Sequence, residues 1–274
     1  MITYPFEAAG TLTRVIEAGD TKADPLVLVH GVGARADRWR RNIEPLAGAG
    51  YHVYAVDLPG HGFAEKGGRF DYSLPGYTDF LQGFLQQVAG GPAVLVGTSL
   101  GGAIAASLAC RAPDAVHALV LVGSLGLRPV GVEVRARMRG GIRDASRDGI
   151  REKLKRVLHD PTRVDEAWVE EEFRINNSPG APDAFARLAD YFADHLDDDV
   201  VGERLALAAR WPILLVWGAE EKSVPVAVGE AAHRLLPGSR LVLLPGSAHA
   251  PYFEQAEAFN RVVIDFLAQA KLKE

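Results

Sequence analysis

Gly97-Thr98-Ser99-Leu100-Gly101 is a G-x-S-x-G pattern, and a serine in that setting is a candidate nucleophile. The preceding residues AVLVG read as a strand. The following residues LGGAIAASLACRA read as a small-residue helix that starts directly after the serine. A strand-to-helix turn that sharp strains the backbone at Ser99, and glycines at 97 and 101 remove side chains that would clash there. The Ser99 hydroxyl then stands at the C-terminal edge of a sheet, above a helix N-terminus. The backbone N–H of Leu100 faces the same space and can stabilise an oxyanion.

A serine at neutral pH needs a base, and the base needs an orienting carboxylate. Of the eight histidines, His249 follows a strand and a loop in RLVLLPGSAHAPYFE, which puts it at the same sheet edge as Ser99. The others fall in Gly-bounded turns, in strand or helix patterns, or in a helical insertion. For the acid, the loop after PILLVWG reads Ala219-Glu220-Glu221-Lys222-Ser223-Val224-Pro225 and holds no Asp. The other common position, in VGSLG (122–126), holds no carboxylate. Glu220 or Glu221 must therefore orient the base, and adjacent loop residues usually point apart, so one of them faces His249.

These residues need a scaffold, and the chain supplies a rhythm of apolar runs and amphipathic stretches. The runs are 25–30, 51–57, 93–99, 117–124, 212–218 and 240–246, each apolar on both faces as buried parallel strands are. Helical patterns at 37–49, 74–89, 100–111, 226–236 and 255–270 lie between them. This predicts an α/β fold, a mostly parallel sheet flanked by helices. TLTRVIEAG (11–19) alternates and reads as part of an antiparallel edge hairpin. Between Gly126 and Arg210 the rhythm stops, and helical patterns such as REKLKRVLHD, VDEAWVEEEFRI and APDAFARLADYFADHL replace it. The expected organisation is a core of residues 1–125 and 211–274 with a helical cap inserted at 126–210. Residues 128–156 carry ten Lys or Arg against four Asp or Glu. A solvated helix face explains such a run first, and a basic lip for anionic substrates explains it more sharply.

Composition narrows the class. The chain has 274 residues, 48% hydrophobic and 24% charged, which is ordinary for a globular protein. Its single cysteine excludes an intramolecular disulfide and any Cys-rich metal site. Thirty basic against 35 acidic residues, net −5, argue against a nucleic-acid partner. The start of the chain has no basic segment followed by an apolar one, and no apolar run approaches the roughly 18 residues of a membrane span. A cytoplasmic protein with a small-molecule ligand is the expectation, with oligomeric state open.

With these landmarks in place, the sequence resembles the α/β-hydrolase fold family over nearly its whole length outside the insertion. The residues that carry the resemblance are His30-Gly31, Asp57-Leu58-Pro59-Gly60-His61-Gly62, Gly97-Thr98-Ser99-Leu100-Gly101-Gly102, Trp217-Gly218 with Pro225, and Gly246-Ser247-Ala248-His249. The resemblance implies a triad in the order nucleophile, acid, histidine. It maps the acid four residues before Pro225, to Glu221 rather than Glu220, where most members carry Asp. It also implies Val32 as the second oxyanion donor. Members that use an Asp nucleophile are dehalogenases and epoxide hydrolases, and Ser99 argues against both.

Two branches of the family compete. Trp39-Arg40-Arg41-Asn42-Ile43 and Asn260–Leu267 resemble the hydrolases that cleave C–C bonds in ring-opened aromatic products. Those enzymes typically carry Trp directly after the histidine, whereas Ala250-Pro251 here is similar to many esterases and lactonases. The expected activity is hydrolysis of a small carboxylic ester or lactone through an acyl-enzyme, with no cofactor and no metal. C–C hydrolysis of a vinylogous diketone acid is the alternative, and a non-catalytic ligand-binding protein is the third reading. Expected contributors to the substrate pocket are Trp39, Asn42, Met138, Trp168, Phe173, Tyr191 and Phe192.

Overall fold

The computed structural model describes residues 1–271. Eight strands form one sheet: β1 (Ile2–Ala8), β2 (Thr11–Ala18), β3 (Asp24–Val29), β4 (Tyr51–Val56), β5 (Ala93–Thr98), β6 (Val116–Val122), β7 (Ile213–Gly218) and β8 (Arg240–Leu244). Their spatial order is β1-β2-β4-β3-β5-β6-β7-β8. The first two strands are antiparallel, joined through Ala9 and Gly10, both with positive φ (47° and 71°), as a two-residue hairpin turn demands. From β4 onward all neighbours are parallel.

Every residue of β4, β5 and β7 is buried, because helices cover both faces of the central sheet. On one face lie α1 (Arg40–Gly48) and α11 (Ala256–Lys271), which contribute Ile43, Leu46, Phe259, Val263 and Leu267. On the other lie α2 (Leu74–Val88), α3 (Leu100–Arg111) and α9 (Val226–Leu235), with Phe80, Phe84, Ile104 and Ala232. The short α10 (Pro251–Glu254) precedes α11. The run at 240–246 is not apolar and buried on both faces: β8 is an edge strand, no strand among the described residues pairs with its outer side, and Leu243 on it is exposed.

Five helices separate β6 from β7: α4 (Val132–Arg143), α5 (Arg147–Val157), α6 (Glu166–Asn176), α7 (Ala181–Asp194) and α8 (Gly202–Ala208). The segment packs into the body of the protein. Phe185, Leu188 and Phe192 of α7 join the same core cluster as α2 and α3, and Phe185 meets the His61 ring edge-on at 5.2 Å. A smaller cluster of Ile150, Leu154 and Val169 holds α5 to α6. Hydrophobic patterning does not reveal α4, since Ile142 is its single buried residue. Its arginines hold it instead, with Arg139 and Arg143 on Asp190 and Arg135 on Asp197.

A close approach occurs where α3 passes beneath the end of β3. A Cβ on Gly101 would stand 2.3 Å from the Val29 carbonyl oxygen and 2.6 Å from that of His30. Neither backbone oxygen can move without shifting the strand. Gly101→Ala is expected to cost about 1–3 kcal/mol and to lower Tm by roughly 2–12 °C. Gly48→Ala, at a helical position with nothing within 4 Å, is the matched control and leaves Tm in place or raises it by about 1–4 °C. Thermal unfolding of the two variants checks this.

Candidate active site

Ser99 sits between β5 and α3 with φ 53° and ψ −117°, a left-handed backbone that a side chain adopts only under strain. Contacts on both sides impose it. The Ser99 N–H donates to the Val122 carbonyl at 3.0 Å, and its own carbonyl accepts from Gly102, Ala103 and Leu125. The turn closes so tightly that a Cβ on Gly97 would fall 2.2 Å from the Gly101 carbonyl oxygen. Ser99 thereby stays partly exposed above buried neighbours. The N–H of Leu100, in the first turn of α3, has no intrahelical acceptor, as at any helix start.

The loop after β3 passes against the serine, where a Cβ on Gly31 would lie 2.9 Å from that of Ser99. His30 fixes this loop. Its Nε2 accepts the Leu58 N–H at 2.9 Å, so Nδ1 carries the proton and donates to the Gly31 carbonyl at 2.8 Å. Burial pulls its pKa down to about 4, so the ring is a neutral strut. Val32 follows in the wall of the same cavity as Ser99.

The geometry separates the two glutamates. Glu221 Oε2 lies 2.6 Å from His249 Nδ1, and its Oε1 accepts the N–H groups of Ser223 and Val224. Its side chain is 1% exposed. Burial alone would raise the Glu221 pKa, but the neighbouring imidazole and the two backbone donors outweigh it and hold the carboxyl below its ordinary value. Glu220 turns the other way and accepts the Ser247 N–H at 3.0 Å, bracing the loop that carries the histidine.

Two further contacts hold that loop, and neither was foreseen from sequence. Glu254, buried on α10, accepts the Ala248 N–H through Oε2 (2.8 Å) and the His159 N–H through Oε1 (2.7 Å). The His249 N–H donates to the Val157 carbonyl at the end of α5, 3.1 Å away. The inserted helices thus touch the histidine's own backbone.

Ser99 and His249 line one cavity of about 80 Å³, small beside the ~300–1,000 Å³ of pockets for drug-sized ligands. Its remaining walls are Gly31–Ala34, Arg38 and Thr98, Lys153, Leu154, Val157, Leu158 and Trp168 from the helical stretch between β6 and β7, and Ala250, Tyr252 and Phe253 behind the histidine. Of the expected pocket residues, Trp168 lines it, with Arg38 stacked on its ring at 4.2 Å. The others stand elsewhere. Trp39 is fully buried one layer behind, stacked on Tyr252 at 4.1 Å. Asn42 donates to the Tyr252 carbonyl and to Asn260, so it holds the wall and does not face the cavity. Met138 packs against the large core cluster, Phe173 lies under Arg147, Tyr191 bonds Asp199, and Phe192 is fully buried.

An ion-pair network runs behind the cavity from Asp57 through Arg14, Asp37 and Arg35 to Glu172, with Arg40 and Glu171 as branches. Glu172, 2% exposed on α6, also accepts from Arg38 Nη2 at 2.6 Å and from Trp168 Nε1 at 3.2 Å. The network joins the core to the insertion, and its four arginines match its four carboxylates.

Known proteins share this arrangement of elements. The family model for the alpha/beta hydrolase fold matches residues 24–256. The dihydrolipoyllysine-residue acetyltransferase component of the acetoin cleaving system of Pseudomonas putida is 31% identical over 264 residues, 95% of this chain and 68% of that protein. The pimeloyl-[acyl-carrier protein] methyl ester esterase of Neisseria meningitidis serogroup B is 32% identical over 249 residues, 88% of this chain and 91% of the esterase. Among solved structures, a meta-cleavage product hydrolase from Pseudomonas fluorescens IP01 matches with a TM-score of 0.85 at 25% identity, covering 97% of this chain and 98% of that one. A parallel sheet with a strained serine at its edge, a matching family model and relatives above 30% identity lead to one conclusion: the chain belongs to the alpha/beta hydrolase fold family.

Proposed function

We propose that the protein is a serine hydrolase of small carboxylic esters or lactones, with Ser99, His249 and Glu221 as its triad. The observation that carries this reading is the 2.6 Å contact between Glu221 and His249 Nδ1, with His249 lining the same cavity as Ser99. That contact leaves Nε2 of the imidazole for the serine proton. Ser99 Oγ attacks the carbonyl carbon, and its proton passes to His249. The N–H groups of Val32 and Leu100 hold the oxyanion. The tetrahedral intermediate collapses as His249 returns the proton to the leaving alkoxide. Water, deprotonated by the same imidazole, then adds to the acyl-enzyme and releases the acid and Ser99. Glu221 balances the imidazolium in both halves. The small cavity supports a short substrate, as does the likeness to a methyl ester esterase.

A second reading keeps the same residues and cleaves a C–C bond in a ring-fission product. The end-to-end likeness to a meta-cleavage product hydrolase favours it. Ala250 and Pro251 after the histidine favour the ester reading.

Ser99→Ala is expected to abolish hydrolysis of short p-nitrophenyl esters and labelling by a fluorophosphonate. Loss of the yellow absorbance of a ring-fission product at a rate exceeding ester turnover would favour the second reading. Glu221→Gln is expected to lower kcat about 10²–10⁴-fold, whereas Glu220→Gln leaves kcat within an order of magnitude. Steady-state kinetics that reverse this order assign the acid to Glu220.

The same carboxylate makes a stability prediction. A lowered folded pKa means that the stability from ionised Glu221 is complete above the ordinary value of about 4.3 and is lost as pH falls through the folded value. Glu221→Gln removes that contribution. Its Tm is expected to fall less than the wild type's between about pH 6 and pH 3, measured by thermal unfolding in matched buffers.

A further inference from the structure

The cavity wall holds one cation, Lys153, that has no ion-pair partner among the described residues. Lys153 projects from α5 into the wall, 3.6 Å from where a Cβ on Gly33 would stand. Gly33 adjoins Val32, the proposed oxyanion donor. Arg38, the other cation in the wall, is already committed to Glu172. The network behind the wall is balanced, so it offers Lys153 no spare carboxylate. Among the described residues none reaches the Lys153 ammonium within ion-pair distance, and Glu172 and Asp144 act on it only from farther away. Burial pulls its pKa below the ordinary lysine value, so the bare cation is disfavoured where it stands. A protein that desolvates an ammonium without a partner stabilises it most when an anion arrives.

We propose that Lys153 reads an anionic group on the substrate, so that the preferred substrate is a small ester or lactone bearing a carboxylate a few bonds from the scissile carbonyl. The inference rests on the hydrolase reading for the identity of the reacting bond, and on the unpaired lysine for the charge. The basic run in which Lys153 lies does not act as a whole. Arg147, Arg151 and Lys155 are paired on the outer surface with Glu170, Glu166 and Glu152. Lys153 alone of these four lines the cavity.

The test compares monomethyl glutarate with dimethyl glutarate. The wild type is expected to favour the monoanion at least tenfold in kcat/KM, mainly through KM, the effect of one charge-assisted contact. Lys153→Met is expected to collapse that ratio toward one, and Lys153→Arg to keep most of it. A ratio equal in wild type and Lys153→Met overturns the proposal. Titration calorimetry gives a readout free of turnover. Glutarate, and not glutaramide, should bind the wild type and slow fluorophosphonate labelling of Ser99. Absence of glutarate binding overturns the proposal even if Lys153→Met fails to fold. If neither ester is turned over and Ser99 is not labelled, the hydrolase reading falls, and glutarate binding that differs between wild type and Lys153→Met still upholds the anion site.

Discussion

The backbone turn at Ser99 is the constraint on which the rest of the site depends. A non-glycine residue at φ 53° and ψ −117° costs roughly 1–3 kcal/mol, and it persists only where its surroundings over-determine it. Those surroundings reach in three directions: the Val122 carbonyl of β6, the start of α3, and the close passage of α3 under β3. Each requires the parallel register β3-β5-β6, which sets the three strand ends side by side. The apolar runs that build the sheet are thus what hold one hydroxyl above its edge.

Carboxylates do most of the positioning around that hydroxyl, and each holds a different partner. Glu221 orients the imidazole, Glu220 braces the loop below it, and Glu254 ties that loop to the inserted helices. Asp57 acts in the same way on the opposite side. It is fully buried and accepts the N–H groups of Ala36 and Phe63 while pairing with Arg14. None of the four is isolated in the interior, which is the condition for keeping a charge there. Several backbone amides near the site, those of Ala36, Phe63, Ser223, Val224, Ser247 and Ala248, are held by these side-chain acceptors, while those of Ser99 and His249 find backbone carbonyls.

Much of this was legible in the residues. The strands were, because period and composition mark buried parallel strands directly, and so was the serine turn, because its glycines are a steric requirement. The choice between Glu220 and Glu221 was not readable from spacing within the loop, since the direction of each side chain depends on what Ser247 and His249 offer across it. The proline offset suggested by family resemblance pointed to the residue that contacts the histidine. Pocket residues were the weakest reading. Trp39 and Phe192 are large and apolar, as wall residues are, yet fully buried side chains have the same character. Lys153 and Glu254 left no signal of their own. One lies in a run of like charges and the other is a lone acid on a four-residue helix, and only tertiary contacts distinguish them.

The hydrogen bond from the His249 amide to the Val157 carbonyl has a kinetic meaning. Val157 ends the helix that roofs the cavity, so the roof and the histidine loop share a backbone contact. A roof that lifts to admit a ligand either breaks that bond or drags the loop along, and Glu254 adds a second tether between the same two segments. On the triad proposed above, such a movement would carry the base away from the serine.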